Sequence, residues 1–338
     1  MEINMKLYIT IPKGELRESF LDEVAMGTLA EHFIIGSNDL ERNLTEEELA
    51  VAAKGYDVLV TGWGTANLKK AGLTEKGSDF KLLIHTGGSV GDLIDSEAYD
   101  NGIRVISGNR IYAESTAEGA LSYILAGLRY IPDEVSSMKN GSYWDSPRHT
   151  EGLFGKNIGI IGVGAVSKSL MSYLKPFRAH IRVYDTYEVD PDYLASVNAE
   201  QVSLEELLRE SDLVSVHAAL GESTRGMIGE RELSMIRDGA LLVNTSRGAI
   251  IDEQALIREL ESGRIRAVLD VFTKEPLSAD SPLRTLDNVY LIPHKAGPTF
   301  DLRGLIGRSL AEDAVRYLNG EALEFEIDRA SAARMTKH

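Results

Sequence analysis

The chain contains no cysteine. Disulfides, thiolate nucleophiles and cysteine-based metal sites are therefore excluded, and any catalysis must come from other side chains. Positive charge is scarce: 36 Lys and Arg stand against 52 Asp and Glu, a formal net charge of -16. A surface of that sign repels phosphate backbones and anionic lipid, which argues against nucleic acid and membranes as partners but leaves room for a local basic pocket. No apolar run approaches the ~20 residues that span a bilayer. The opening segment, MEINMKLYITIPKGELRESF, has no basic region leading into a long apolar stretch. No signal peptide is expected, and the chain is placed in the cytoplasm. Low-complexity tracts and repeats of solenoid period are also missing.

What is present is ordinary for a globular enzyme. Over 338 residues, 43% are hydrophobic and 26% charged, enough chain for two domains. Short apolar runs alternate with helical patterns. Lys6–Ile11, Phe33–Ile35, Val58–Val60 and Lys81–His85 read as buried strands. A second series follows: Asn157–Ile161, Ile181–Tyr184, Leu213–His217, Ala240–Asn244, Ala267–Asp270 and Val289–Ile292. Thr45 and Ser203 each precede a glutamate at capping-box spacing, and Asp252 is placed to cap the helix through Ala255 and Leu260. A long helix is expected from Ala113 to Tyr130, an amphipathic one near Leu302–Leu318, and an extended tail after Asn319. This alternation predicts α/β architecture, with parallel sheets covered by helices on both faces. Two domains are expected, one formed by residues 1–113 and 297–338, the other, 114–296, inserted into it.

The sharpest local motif is Asn157-Ile158-Gly159-Ile160-Ile161-Gly162-Val163-Gly164-Ala165-Val166-Ser167, an apolar strand running through a glycine turn into a helix. Gly162 suits the tight turn, Gly164 lets the backbone approach a pyrophosphate, and the N–H groups of Ala165 and Val166 are placed to receive it. A second strand ends at Asp185, an acid positioned for the adenosine ribose hydroxyls that would repel a 2′-phosphate, so NAD is expected rather than NADP. The motif departs from GxGxxG at Ser167, where a small residue still permits close helix packing.

Three further segments share one design, an apolar strand ending in a polar group: LLVNTSRGAIIDEQAL with Thr245 and Arg247, AVLDVFTKEPL with Asp270 and Glu275, and VYLIPHKAG with His294. Open α/β sheets place ligands at such strand ends. A guanidinium fork grips a carboxylate and the neighbouring carbonyl of a 2-oxo acid. An imidazolium protonates the carbonyl oxygen as hydride arrives, and a carboxylate behind it orients the ring and favours its charged form. A lone arginine or histidine after a strand is more often a surface or satisfied polar group; the three segments together reverse that reading. His217 also ends a strand but has no such partner segment, and it reads as structural or cofactor-adjacent. Trp63 could line a cleft or fill a core.

Together these motifs resemble the D-isomer-specific 2-hydroxyacid dehydrogenase family over nearly the whole chain. GVGAVS resembles its dinucleotide loop, NTSRGAIIDEQAL its arginine segment, LDVFTKEPL its glutamate segment and IPHKAG its histidine segment. The resemblance implies two doubly wound domains, a Rossmann-type NAD domain inserted into a flavodoxin-like substrate domain, with an active site in the cleft between them. It implies that Arg247 binds the substrate carboxylate and carbonyl, that His294 is the acid/base with Glu275 as its partner, and that Asp270 holds the nicotinamide carboxamide. Thr245 and His217 fall among its cofactor contacts. The loop His85-Thr86-Gly87-Gly88-Ser89-Val90 would receive the substrate carboxylate on the N–H groups of Gly88, Ser89 and Val90. Lys295 stands where the family usually has an aliphatic residue, and its side chain is expected in solvent. A homodimer is implied, with Gly141–Pro147, including Tyr143 and Trp144, as the candidate arm. No metal is called for. The expected reaction is NAD-dependent reduction of a small 2-oxo acid of the glyoxylate, hydroxypyruvate or lactate type. The alternatives are a phosphoglycerate or formate dehydrogenase of the same fold and a non-enzymatic, nucleotide-sensing corepressor-like protein.

Overall fold

The computed structural model describes residues 5–143 and 149–336, and the chain divides into two compact units. The first is Met1–Tyr112 with Pro298–His338; the second is Ala113–Gly297. Both are built on wholly parallel sheets.

In the first unit β1 (Lys6–Ile9), β2 (Ile34–Ser37), β3 (Val58–Thr61), β4 (Leu82–His85) and β5 (Arg104–Ser107) lie in the order β2-β1-β3-β4-β5. Strand residues alternate faces, so each strand feeds two cores. Leu7, Ile9, Val58, Val60, Leu82 and Ile84 pack on one side, and Tyr8, Leu59, Leu83 and Val105 on the other. Helix Phe300–Asn319 closes the first of these with Ile306, Leu310, Ala311 and Ala314. Burial on both faces is why these strands read as continuous apolar runs.

The second unit holds β6 (Asn157–Ile161), β7 (His180–Tyr184), β8 (Ala199–Gln201), β9 (Leu213–Val216), β10 (Leu241–Asn244), β11 (Arg266–Leu269) and β12 (Val289–Leu291). Their order is β12-β11-β10-β9-β6-β7-β8. Strand order therefore reverses between β6 and β9, as it does between β1 and β3 in the first unit. At such a point the loops leaving the carboxyl ends diverge and open a crevice for a ligand.

Local signals explain most element ends. At Thr45 the capping box is complete, with Thr45 Oγ1 accepting from Glu48 N–H and the Glu48 carboxylate from Thr45 N–H. At Ser203 only the first half forms, Ser203 Oγ accepting from Glu206 N–H. Asp252 accepts from Ala255 N–H. Two strands escape the sequence pattern. β5 was hidden in a short run after Gly102, and β8 is a three-residue polar edge strand. The long helix starts earlier than expected, at Asn109, and ends at Leu128. The tail is not simply extended: Glu326 bridges antiparallel to Ile106, and Arg329–Ala333 forms a short helix capped by Asp328.

Candidate active site

Gly162 follows β6 with φ 92°, and a Cβ there would lie 2.5 Å from the backbone of Ala218. Both facts exclude an L side chain. Gly164 is extended, and a Cβ on it would meet nothing within 4 Å. That open space sits at the start of helix Ala165–Leu174, which has no side-chain cap. Its first N–H groups, on Ala165 and Val166 among others, are left to an anion. Ser167 is fully buried and donates its hydroxyl to the Gly164 carbonyl at 3.0 Å, so this departure from the glycine pattern leaves no polar atom stranded.

Asp185, just past β7, accepts from Val163 N–H at 2.7 Å and from Tyr187 N–H at 3.0 Å. It ties the glycine loop to the end of the next strand, and its remaining lone pairs can still accept from ribose hydroxyls. Thr245 Oγ1 is buried with no hydrogen-bond partner, and a bound ligand would satisfy it. An uncapped helix start, the space at Gly164, the orphaned Thr245 hydroxyl and Asp185 fit the diphosphate and ribose of a dinucleotide. His217 is bonded to Ser215 Oγ at 2.8 Å, and desolvation lowers its pKa to about 4. It is a neutral ring tied into its own strand.

The histidine segment is held chiefly by Asp270. This carboxylate is wholly buried one residue past β11, and desolvation raises its pKa. It accepts from Lys295 N–H at 2.7 Å, from Ala296 N–H at 3.0 Å and from the Tyr123 hydroxyl at 3.3 Å; its main-chain carbonyl accepts from His294 N–H at 2.8 Å. Helix Asn109–Leu128 presses on the same segment, since a Cβ on Gly119 would fall 2.2 Å from the Ala296 carbonyl oxygen. Held this way, His294 adopts φ 53°, a conformation uncommon for a side-chain-bearing residue and frequent at functional sites. Its Nδ1 meets Glu275 Oε2 at 2.7 Å, and Glu275 Oε1 accepts from Phe272 N–H at 3.0 Å. The pair leaves the His294 side chain 46% exposed, with Nε2 the uncommitted nitrogen. Lys295 is exposed, as expected.

Arg247 precedes the short turn Gly248–Ile250 after β10. Asn244 shapes this loop, donating to the Arg247 carbonyl at 3.0 Å and accepting from Ser246 N–H at 3.0 Å. Gly248 seats the loop against the glutamate segment: its missing Cβ would lie 2.0 Å from the Phe272 carbonyl carbon. The second unit thus sets Arg247, Asp270, Glu275 and His294 at the carboxyl ends of β10, β11 and β12.

In the first unit, the N–H groups of Gly87, Gly88 and Ser89 have no acceptor among the described residues. Val90 N–H instead faces Met335 Sδ at 3.5 Å, and the Ser89 hydroxyl donates to the Thr336 carbonyl at 3.0 Å. His85 is a brace: buried, bonded through Nδ1 to Thr61 Oγ1 at 3.0 Å, its pKa lowered by desolvation to about 4. The unfolded chain takes up this proton near pH 6.5, the folded one only near 4. The stability is complete above pH 6.5 and is lost as pH falls toward 4, by about 3 kcal/mol for this residue. Urea unfolding at pH 7 and pH 4.5 should therefore show a smaller acid penalty in His85→Gln than in the wild type; an equal penalty in both would remove His85 from the account.

Trp63 is 41% exposed and stands edge-on to Phe20 and Tyr112. Trp144–Pro147 of the candidate dimer arm fall outside the described residues, and Tyr143 is exposed. Sequence reasoning missed Tyr123, behind Asp270, and Arg303, beside Trp63. Among the described residues no group of three or more His, Asp or Glu is arranged to hold a metal, and no helix is long and apolar enough to cross a membrane.

The sequence pattern described as "D-isomer specific 2-hydroxyacid dehydrogenase, NAD binding domain" matches residues 121–296. A D-3-phosphoglycerate dehydrogenase of Methanocaldococcus jannaschii is 33% identical over 95% of this chain, which spans only 59% of that protein's length. A hydroxypyruvate reductase of Thermotoga maritima is 32% identical over 86% of this chain and 94% of its own. The crystal structure of the PH0520 protein from Pyrococcus horikoshii aligns with a TM-score of 0.81 and 24% identity, covering 97% of this chain and 96% of that one, a likeness of fold. The chain belongs to the D-isomer-specific 2-hydroxyacid dehydrogenase family, a family of oxidoreductases, and Ala113–Gly297 contains its NAD-binding domain.

Proposed function

We propose that the protein reduces a small, unphosphorylated 2-oxo acid to the D-2-hydroxy acid with NADH, and catalyses the reverse reaction. The observation that carries this reading is the His294–Glu275 pair, held by Asp270 in the unit that bears the glycine loop. When bound, the dihydronicotinamide supplies the hydride that reduces the carbonyl carbon. Gly162, Gly164, Ala165, Val166, Asp185 and Thr245 hold the cofactor. Arg247 grips the 2-oxo acid through its guanidinium fork, polarising the carbonyl. With Nδ1 committed to Glu275, His294 delivers the proton from Nε2 to the carbonyl oxygen and takes it back in oxidation. Asp270 positions the histidine segment, and any contact with the carboxamide is additional to that. The loop Gly87–Ser89 offers the unspent N–H donors for the substrate carboxylate.

An unphosphorylated substrate is supported by the charges around that loop. It has no Lys or Arg of its own, and Arg110 is spent on Glu324 at 2.5 Å while lying over the Phe325 ring. A phosphate dianion needs several cations or backbone donors. The relatives are named for both phosphorylated and unphosphorylated substrates, so competition decides: kcat/KM with NADH should favour hydroxypyruvate over phosphohydroxypyruvate. A preference for the phosphorylated acid that disappears in Arg110→Ala would overturn this choice. A binding protein of the corepressor kind would consume no NADH with any 2-oxo acid.

NADH should also outperform NADPH by roughly tenfold to a hundredfold in kcat/KM, because a 2′-phosphate on a ribose bound at Asp185 would be repelled and no cation occurs in Thr186-Tyr187-Glu188. Equal efficiency would remove Asp185 from the ribose. We also assign a homodimer. Helix Ile131–Lys139 exposes Ile131, Val135 and Met138, spaced along one face, with Tyr143 beyond. Val135→Glu with Met138→Glu should give monomers in sedimentation where the wild type gives dimers. A cytoplasmic setting belongs to the same reading, since nicotinamide cofactors circulate there.

A further inference from the structure

The first unit holds a guanidinium for which the fold provides aromatic rings and no carboxylate. Arg303 lies in the first turn of helix Phe300–Asn319, its Cζ 5.2 Å from the Trp63 ring centroid, 5.4 Å from Phe300 and 5.6 Å from Phe20. Its Nε is buried without a hydrogen-bond partner, and among the described residues no ion pair reaches it. Asp22, beside Gly304 on the next residue of the helix, is engaged elsewhere: it pairs with Arg308 at 3.5 Å and caps Ala25 N–H. Stacking on ring faces fixes the guanidinium plane while leaving its edge donors unspent.

A second polar group stands beside it. The buried Tyr112 hydroxyl is faced by the Trp63 indole as a donor but has no acceptor of its own, and burial raises its pKa, so its O–H is a neutral, unspent donor. The Tyr112 ring also forms the floor under the substrate loop: a Cβ on Gly88 would lie 3.5 Å from it. Trp63, two residues past β3, packs edge-on to Tyr112 with centroids 6.3 Å apart. From Gly88 through Tyr112 and Trp63 to Arg303, the cluster is continuous at the carboxyl ends of β3 and β4, where α/β sheets bind ligands. One unpaired positive charge, a phenol donor and flat apolar walls suit a carboxylate, which a guanidinium can take through two parallel N–H bonds. They are too few donors for a phosphate dianion.

We propose that Arg303 and Tyr112, walled by Trp63, form a subsite for a second carboxylate, so that the favoured substrates are short 2-oxo dicarboxylic acids. This rests on the reading above that the Gly87–Ser89 loop takes the carboxylate next to the carbonyl, and it extends that reading beyond the monocarboxylic acids. The subsite acts on specificity, by adding binding energy to the distal end of the substrate.

The test compares kcat/KM with NADH for oxaloacetate and 2-oxoglutarate against pyruvate and hydroxypyruvate. The wild type should favour one of the dicarboxylates. Losing a charge-assisted hydrogen bond in Arg303→Met should lower the dicarboxylate-to-monocarboxylate ratio roughly tenfold to a hundredfold. Arg303→Lys, which keeps the charge, should recover part of it, and Tyr112→Phe should lose a smaller part. A wild-type preference for monocarboxylates, or a ratio that Arg303→Met leaves in place, overturns the proposal. Should no 2-oxo acid be reduced, the reaction assigned above fails, and the subsite is still read separately. In a Trp144→Phe background only Trp63 fluoresces, because the chain has two tryptophans. Saturable quenching by succinate that Arg303→Met abolishes supports the subsite, and absence of any succinate effect overturns it.

Discussion

His294→Ala should reduce 2-oxo acids with a kcat lower by roughly 10²–10⁴, the usual worth of a positioned general acid. NADH affinity should hardly change, because the glycine loop and helix Ala165–Leu174 are untouched. Glu275→Gln should cost less, since Gln keeps an oxygen for Phe272 N–H but loses the charge that faces Nδ1. The two effects should not add. Once the imidazole is gone, Glu275 has nothing to orient, so the double variant should match His294→Ala within a few fold. Full additivity in a double-mutant cycle would mean that Glu275 acts on the substrate by another route. Undiminished turnover in His294→Ala would remove the histidine from the chemistry altogether.

Much of this architecture was legible in the sequence, for reasons that also mark where legibility ended. Strands buried on both faces are apolar at every position, so β3, β4, β9 and β10 announce themselves; β8, an exposed edge strand of three residues, carries no such pattern. Arg247, Glu275 and His294 stood out in the sequence because the chemistry proposed for them restricts residue type at strand ends, and the structure brings His294 and Glu275 together. The Asp270 clamp was not readable. It grips backbone N–H groups of Lys295 and Ala296, and any residue supplies those. The family resemblance implied a carboxamide contact at Asp270; that both carboxylate oxygens also hold the histidine segment is what only the structure adds. Tyr123 was hidden for a similar reason: its partner is remote in sequence, and its own helix looks the same with or without that hydrogen bond. Arg303 was missed because Phe20, Trp63, Phe300 and Tyr112 converge only in three dimensions, and an arginine in a first helical turn suggests solvent.

Gly248→Ala should be as damaging as loss of a catalytic group, though glycine itself does no chemistry. The β-carbon would arrive 2.0 Å from the Phe272 carbonyl carbon and 2.4 Å from both its oxygen and Thr273 N. All three are main-chain atoms, so no rotamer change relieves the clash, and the Arg247 loop or the Phe272–Glu275 segment has to move. Overpacking of this kind costs roughly 1–3 kcal/mol in stability. The functional cost is larger, because the two segments carry Arg247 on one side and Glu275, which orients His294, on the other. A misplacement of about 1 Å in a reacting constellation is worth roughly 10² in rate. We therefore expect kcat/KM for the 2-oxo acid to fall by roughly 10² or more, with kcat and KM both affected, and Tm to drop by a few degrees. Gly152→Ala is the control, since a Cβ there meets nothing within 4 Å and its φ is not positive; it should behave as wild type. Retained NADH binding in Gly248→Ala would separate a displaced substrate site from a collapsed domain, because the proposed nucleotide contacts lie mostly at the ends of β6 and β7, with only Thr245 near the displaced loop after β10. Wild-type kcat/KM in Gly248→Ala would show that the two segments need not touch for catalysis, and the fixed spacing between Arg247 and the His294–Glu275 pair would lose its physical basis.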